Sequence, residues 1–239
     1  LDLLAPLLNE VLATCRVHGY DALFLRATLL GPDDPHSLVP LLILAREQGW
    51  EAAYASQLLD AIGLAEISYH PGYQLKVATL GAFQVWRGSQ PVLANHWQRE
   101  KTRQLFQLLI NHDHEPLDRE QIFEHLWPEL DPTTAQRNFK VALNTLYNVL
   151  EPERLPGQES AYILRQGSIY GLRPAADLWL DSRVFAQSIE RAEALLAGAP
   201  DLGDRGARGD GDLVALAVAV VLVHQVDLDV AELRARAQI

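Results

Sequence analysis

"TTAQRNFKVALNTLYNVL" (residues 133–150) is the stretch on which the reading of this chain turns. Place Phe139 at the centre of a helical wheel turning 100° per residue. Ala135, Ala142, Leu143, Leu146 and Leu150 then fall within about 60° of it, which is a core stripe. The opposite arc carries Thr133, Thr134, Arg137, Val141, Asn144 and Asn148, with Lys140 and Tyr147 at its flanks. No carboxylate lies between Pro132 and Leu150, in a chain with 31 Asp and Glu and a formal net charge of −11. A helix that enters a nucleic-acid groove must avoid acids, because the phosphate field repels them. It also needs side chains with matched donors and acceptors. Arg suits a guanine edge, Asn an adenine edge, and a small apolar residue a thymine methyl. Arg137, Asn144 and Val141 are of those types. Taken alone, the same face also fits a solvated helix surface with few charges.

Working outward, Asp131 is a helix cap with Pro132 at the first helical position. "WPELDP" before it is a hard stop. Asp118 caps a helix running to Leu126, and another helix is expected from Arg99 to Asn111, burying Leu105, Phe106, Leu108 and Leu109. Upstream, "LKVATLGAFQVWRG" alternates apolar and polar residues with the strand period, and "PVLAN" reads as a third short strand. Downstream, "AYILRQGSIYGLRP" reads as two strands around a Gln166-Gly167 turn. Helix resumes from about Ser182 to Ala197. Three strands, three helices and a hairpin predict an α+β fold, a winged helix with a leading antiparallel sheet over 75–174.

Residues 1–67 read as all-α, with leucines at helical spacing in 3–12 and helices over 36–48 and 51–62, each ending at a glycine. Such short antiparallel helices suit the tail of a helical-repeat array; an ordinary small bundle has the same pattern. "ISYHPGYQ" (67–74) is rich in turn formers, so 68–74 is expected to be a linker.

The single cysteine, Cys15, excludes an internal disulfide and suits a reducing cytoplasm. The chain has no Met and starts at Leu1, so a piece of a longer protein is expected. No signal peptide is visible, and the apolar run near Leu213–Val223 is too short to span a bilayer, so no membrane partner is expected. There is no G-x-x-x-x-G-K-[ST] and no G-x-S-x-G. "NHDHE" (111–115) with His125 lacks metal-ligand spacing. No catalytic residue, metal or cofactor is expected, and the chain is not read as an enzyme. Trp86 and Trp127 read as core.

The blocks "LGAFQVWRG", "REKTRQLFQLLINH", "LDREQIFEHLWPELDPTTAQRNFKVALNTLYNVLEP" and "YILRQGSIYGL" together resemble the OmpR/PhoB-type DNA-binding domain. More narrowly they resemble the Streptomyces antibiotic regulatory protein group, in which a helical bacterial transcriptional activator domain follows; "DLWLDSRVFAQSIERAEALL" (177–196) is similar to its start, so that 175–197 would open that domain. The resemblance implies a sequence-specific DNA-binding transcription regulator, with 133–150 as recognition helix in the major groove. Its base- and groove-facing positions would be Thr133, Thr134, Arg137, Lys140, Val141 and Asn144. Arg99, Lys101 and Arg103 would clamp phosphates, and Arg165 of the wing would reach a minor groove or a phosphate. It further implies double-stranded DNA with direct repeats, self-association on that DNA, and RNA polymerase as partners. The segment 75–173 holds eleven Lys and Arg against eleven Asp and Glu, so the whole net charge lies in its flanks. It is less basic than the family, which implies weaker nonspecific binding. The resemblance stops after Ala197, and the Gly/Asp/Arg-rich then Val/Ala/Leu-rich tail, 198–239, is left unassigned. An interaction module that keeps the winged-helix fold without binding DNA is the alternative.

Overall fold

The computed structural model describes residues 4–174 and 176–198, so the tail 199–239 lies outside the described residues. The elements run α1 (Leu4–His18), α2 (Ala22–Leu25), a 3-10 turn (Pro35–Leu38), α3 (Val39–Gln48), α4 (Ala52–Ala61), β1 (Leu75–Ala78), β2 (Gln84–Arg87), β3 (Gln90–Pro91), a second 3-10 turn (Ala94–Trp97), α5 (Glu100–Asn111), β4 (Leu117–Asp118), α6 (Arg119–Leu126), α7 (Pro132–Leu150), β5 (Ile163–Gln166), β6 (Ile169–Leu172), β7 (Leu178–Leu180) and α8 (Asp181–Gly198). The fold is α+β. The described residues divide into two compact units, those within 4–74 with 93–177, and 75–92 with 178–198.

In the first unit, α1 to α4 close over Leu12, Leu42, Leu58 and Leu59, each at most 1% exposed. The α3 helix stops at Gly49, whose φ of 78° is easy only without a Cβ. Its N–H bonds the Arg46 carbonyl and the next N–H, of Trp50, bonds the Ala45 carbonyl, a Schellman stop. The four-residue α2 was not expected, since one turn is too short to show a period.

The expected linker is not a free span. Arg46 donates to the carbonyls of Ala65 and Ile67. The Tyr73 hydroxyl donates to the carbonyl of Leu150, the last residue of α7, at 2.7 Å. The Tyr162 hydroxyl donates to the Tyr73 carbonyl at 2.6 Å, and burial pushes the Tyr162 pKa upward, keeping it a donor. A turn-rich composition signals irregular backbone, not freedom. Here side chains distant in sequence satisfy that backbone.

The same unit holds α5, α6 and α7, with β4, β6 and β5 forming a three-stranded sheet in that order. Phe139 is at its centre, edge-on to Phe123 at 5.7 Å and to Tyr170 of β6 at 4.9 Å between ring centroids. The β5–β6 register pairs Gln166 with Ile169. The turn is therefore Gly167-Ser168, one residue later than expected, and Gly167 takes the positive φ of 62°. Positive φ at the first loop residue alone matches a type II′ hairpin, which demands Gly there.

In the second unit the sheet order is β3-β2-β1-β7. β1 to β3 are antiparallel as expected, but β7 joins β1 in parallel, so the sheet is mixed. The leading strands thus group with β7 and α8 and not with α5 to α7. Asp181, fully buried, fixes this arrangement. Its carboxylate accepts the N–H groups of Thr79, Leu80 and Ser182 and the Thr79 hydroxyl, all at 2.8–2.9 Å. One side chain thereby satisfies the end of β1 and the N-terminus of α8.

Candidate nucleic-acid interface

The candidate surface is built on α7. Asp131 caps it, accepting the N–H groups of Thr133 at 3.0 Å and Thr134 at 3.1 Å. The Thr134 hydroxyl and these N–H groups hold the Asp131 carboxyl below its ordinary range. Pro132 follows at the first position, where no N–H is needed. The buried face is Ala135, Phe139, Ala142, Leu143, Leu146 and Leu150, with Thr145 and Val149 added at its edge. The Thr145 hydroxyl is satisfied by the Val141 carbonyl at 2.9 Å.

Thr133, Arg137, Lys140, Val141 and Asn144 are all exposed on the opposite side of α7. Val141 is 38% exposed, a sizeable apolar surface among polar neighbours. Thr134 is only half-buried and its hydroxyl is engaged by the cap, so it is not free toward a groove. Among the described residues, neither Arg137 nor Lys140 is held in an ion pair, whereas Arg103, Arg119 and Arg173 each pair with a glutamate.

Arg165 lies exposed on β5, opposite Tyr170. It is close enough to Tyr147 of α7 to oppose the rise in that hydroxyl's pKa, which burial drives. The Arg154 guanidinium sits 4.5 Å from the Tyr147 ring centroid and covers that flank. Nothing in local sequence marks this pair, because Arg154 lies in the loop after the helix.

The three cations expected at the start of α5 separate. Arg99 is exposed at the N-cap of α5. It follows Gln98, whose φ of 57° is strained for a residue with a Cβ, in a tight turn closed by the Arg99 N–H to the Trp97 carbonyl at 2.5 Å. Lys101 is turned inward, and its Nζ donates to the carbonyl of Leu126 at 2.6 Å, closing the end of α6. Arg103 pairs with Glu100 at 2.9 Å on its own helix. The expected trio of clamps is thus one exposed cation, one cap and one local ion pair. The type of a charged residue at a helix start is legible in sequence; the carbonyl it meets from a neighbouring helix is not.

His112 of "NHDHE" and His125 face their own helices, and His114 is exposed. Nδ1 of His112 meets the Leu108 carbonyl at 3.0 Å and Nδ1 of His125 the Gln121 carbonyl at 2.7 Å. Glu151, directly after α7, is 1% exposed and accepts the Ser160 hydroxyl at 2.5 Å and the Ala161 N–H at 2.6 Å. It ties the end of α7 to the segment entering β5, and sequence reading missed it because it sits in a loop of ordinary composition. Among the described residues no helix is long and apolar enough to cross a membrane. No family model, curated protein or solved structure matches the chain.

Proposed function

We propose that α5 to α7 with the β4–β6–β5 sheet form a winged helix of the OmpR/PhoB type that binds double-stranded DNA, with α7 in the major groove, and that the chain is part of a cytoplasmic transcription regulator of the Streptomyces antibiotic regulatory protein kind. The observation that carries this reading is the outer face of α7. Thr133, Arg137, Lys140, Val141 and Asn144 are exposed together on a helix without a carboxylate, in a strongly acidic chain. Arg137 and Asn144 would read base edges, Val141 would meet a methyl group, and Arg99 and Arg165 would contact backbone. A partner surface for RNA polymerase and self-association on direct repeats follow from the same resemblance.

One observation favours an interaction module that does not bind DNA. Lys101 and Arg103, two of the expected phosphate clamps, are engaged within the protein. Selection against random duplexes separates the two readings. The DNA reading predicts enrichment of direct repeats spaced by about one helical turn, 10–11 bp. Half a turn inserted between them is expected to abolish tight binding. No enrichment above input would favour the interaction module.

A further inference from the structure

We propose that His36, protonated on both ring nitrogens, latches the N-terminal helical segment onto Asp177, and that the latch opens when the imidazole loses a proton. The inference does not depend on DNA binding. His36 sits in the 3-10 turn before α3, while Asp177 lies just before β7. Nδ1 of His36 is 2.6 Å from Oδ1 of Asp34, and Nε2 is 3.2 Å from Oδ2 of Asp177. Nδ1 is placed to donate to Asp34, while Nε2 lies at ion-pair distance from Asp177 without hydrogen-bond geometry; a carboxylate at each ring nitrogen favours the imidazolium by charge.

The two contacts differ in what they join. The Asp34 contact is local, two residues away, and is reinforced by the His36 backbone N–H to the same oxygen at 3.0 Å. Nδ1 therefore keeps its proton when only one remains. The proton lost is the one facing Asp177, and that contact is the one between segments.

The other groups around Asp177 hold the linker instead. Gln74 donates from Nε2 to Oδ1 at 2.9 Å. His70, its side chain 1% exposed, accepts the Gly72 N–H on Nδ1 at 3.1 Å; its Nε2 lies 3.3 Å from Oδ2 of Asp177 without a hydrogen bond between them. A second proton on His70 would break the Gly72 bond. Of the two histidines, only His36 can take up a charge without losing a partner. Tyr162, which feels the Asp177 charge, stays protonated within its buried site. Among the groups facing the latch are Asp34, Asp177, His70, Gln74 and Tyr162. Deprotonation of His36 leaves 68–74 in place and frees the turn at 35–38 that Gly72 packs beside, near Ser37 and Pro40.

The test is amide hydrogen exchange on the whole chain from about pH 5.5 to 8.5, the ordinary imidazole range, corrected for the chemical exchange rate. Protection over 36–48 is expected to fall about tenfold across that range, as one partly exposed charged contact is lost. His36→Gln is expected to show the low protection at every pH. The His36 ring signal, followed by NMR in the unaltered protein, is expected to titrate with the same midpoint as the protection. Protection that does not change with pH, a response that persists in His36→Gln, or two distinct midpoints would each overturn the latch.

Discussion

Lys101 shows how a single side chain changes role between sequence and structure. As a cation at a helix start it suits a phosphate; in place, it closes α6 through the Leu126 carbonyl. Lys101→Ala is expected to lower stability by about 1–2 kcal/mol, the worth of a charged hydrogen bond at a part-buried site. Arg99→Ala, on an exposed side chain, is expected to leave melting unchanged. Equal melting of both variants would mean the Lys101 bond adds nothing. Glu151 gives a pH-dependent case. Burial is the largest influence on its carboxyl and raises the pKa above the ordinary 4.5, against the pull of Ser160, Ala161 and Arg154. An acid whose pKa is raised by folding is favoured when protonated. Its contribution is therefore present below about pH 4.5 and is lost as pH rises through the higher folded value. Relative to Glu151→Gln, the unaltered protein is expected to lose stability between pH 4 and pH 8, read from denaturant midpoints at each pH (about 4 being the ordinary carboxylate range). A difference that grows with pH would show that the hydrogen bonds outweigh desolvation.

At the scale of elements, long periodic segments were legible and short ones were not. The stripe centred on Phe139 predicts the buried face of α7, because a nineteen-residue helix repeats its pattern over five turns. The caps at Asp118 and Asp131 were legible for a similar reason, since their chemistry is local. The two-residue β4 and three-residue β7 carry too few residues to show alternation, and each exists through a partner far away in sequence. Asp181 was illegible in the same way, since the Thr79 and Leu80 N–H groups it satisfies lie about a hundred residues earlier. Phe139 provides the element-scale test. It is 2% exposed and packed on rings from α6 and β6. Phe139→Ala is expected to cost about 3–5 kcal/mol, seen as a lower denaturant midpoint. An unchanged midpoint would mean that the wheel places the core on the wrong side of α7.

For the molecule as a whole, the distribution of charge matters more than its total. The acids outnumber the bases by eleven, yet 75–173 is formally neutral and the outer face of α7 has no acid. That arrangement was legible, as it needs only counting and a helical period. The cluster of His36, His70 and Asp177 was not, because it assembles from three segments with nothing local to mark it. The central claim is that α7 reads bases, and it is tested by binding of variants to a selected duplex and its single-base changes across a salt series. Arg137→Ala and Asn144→Ala are expected to flatten the preference at particular base positions, by roughly 1–3 kcal/mol each. Arg99→Ala and Arg165→Ala are expected to weaken all duplexes alike and to reduce the salt slope by about one unit each. Uniform weakening by Arg137→Ala and Asn144→Ala, with base preference intact, would contradict the assignment of α7 as the reading helix.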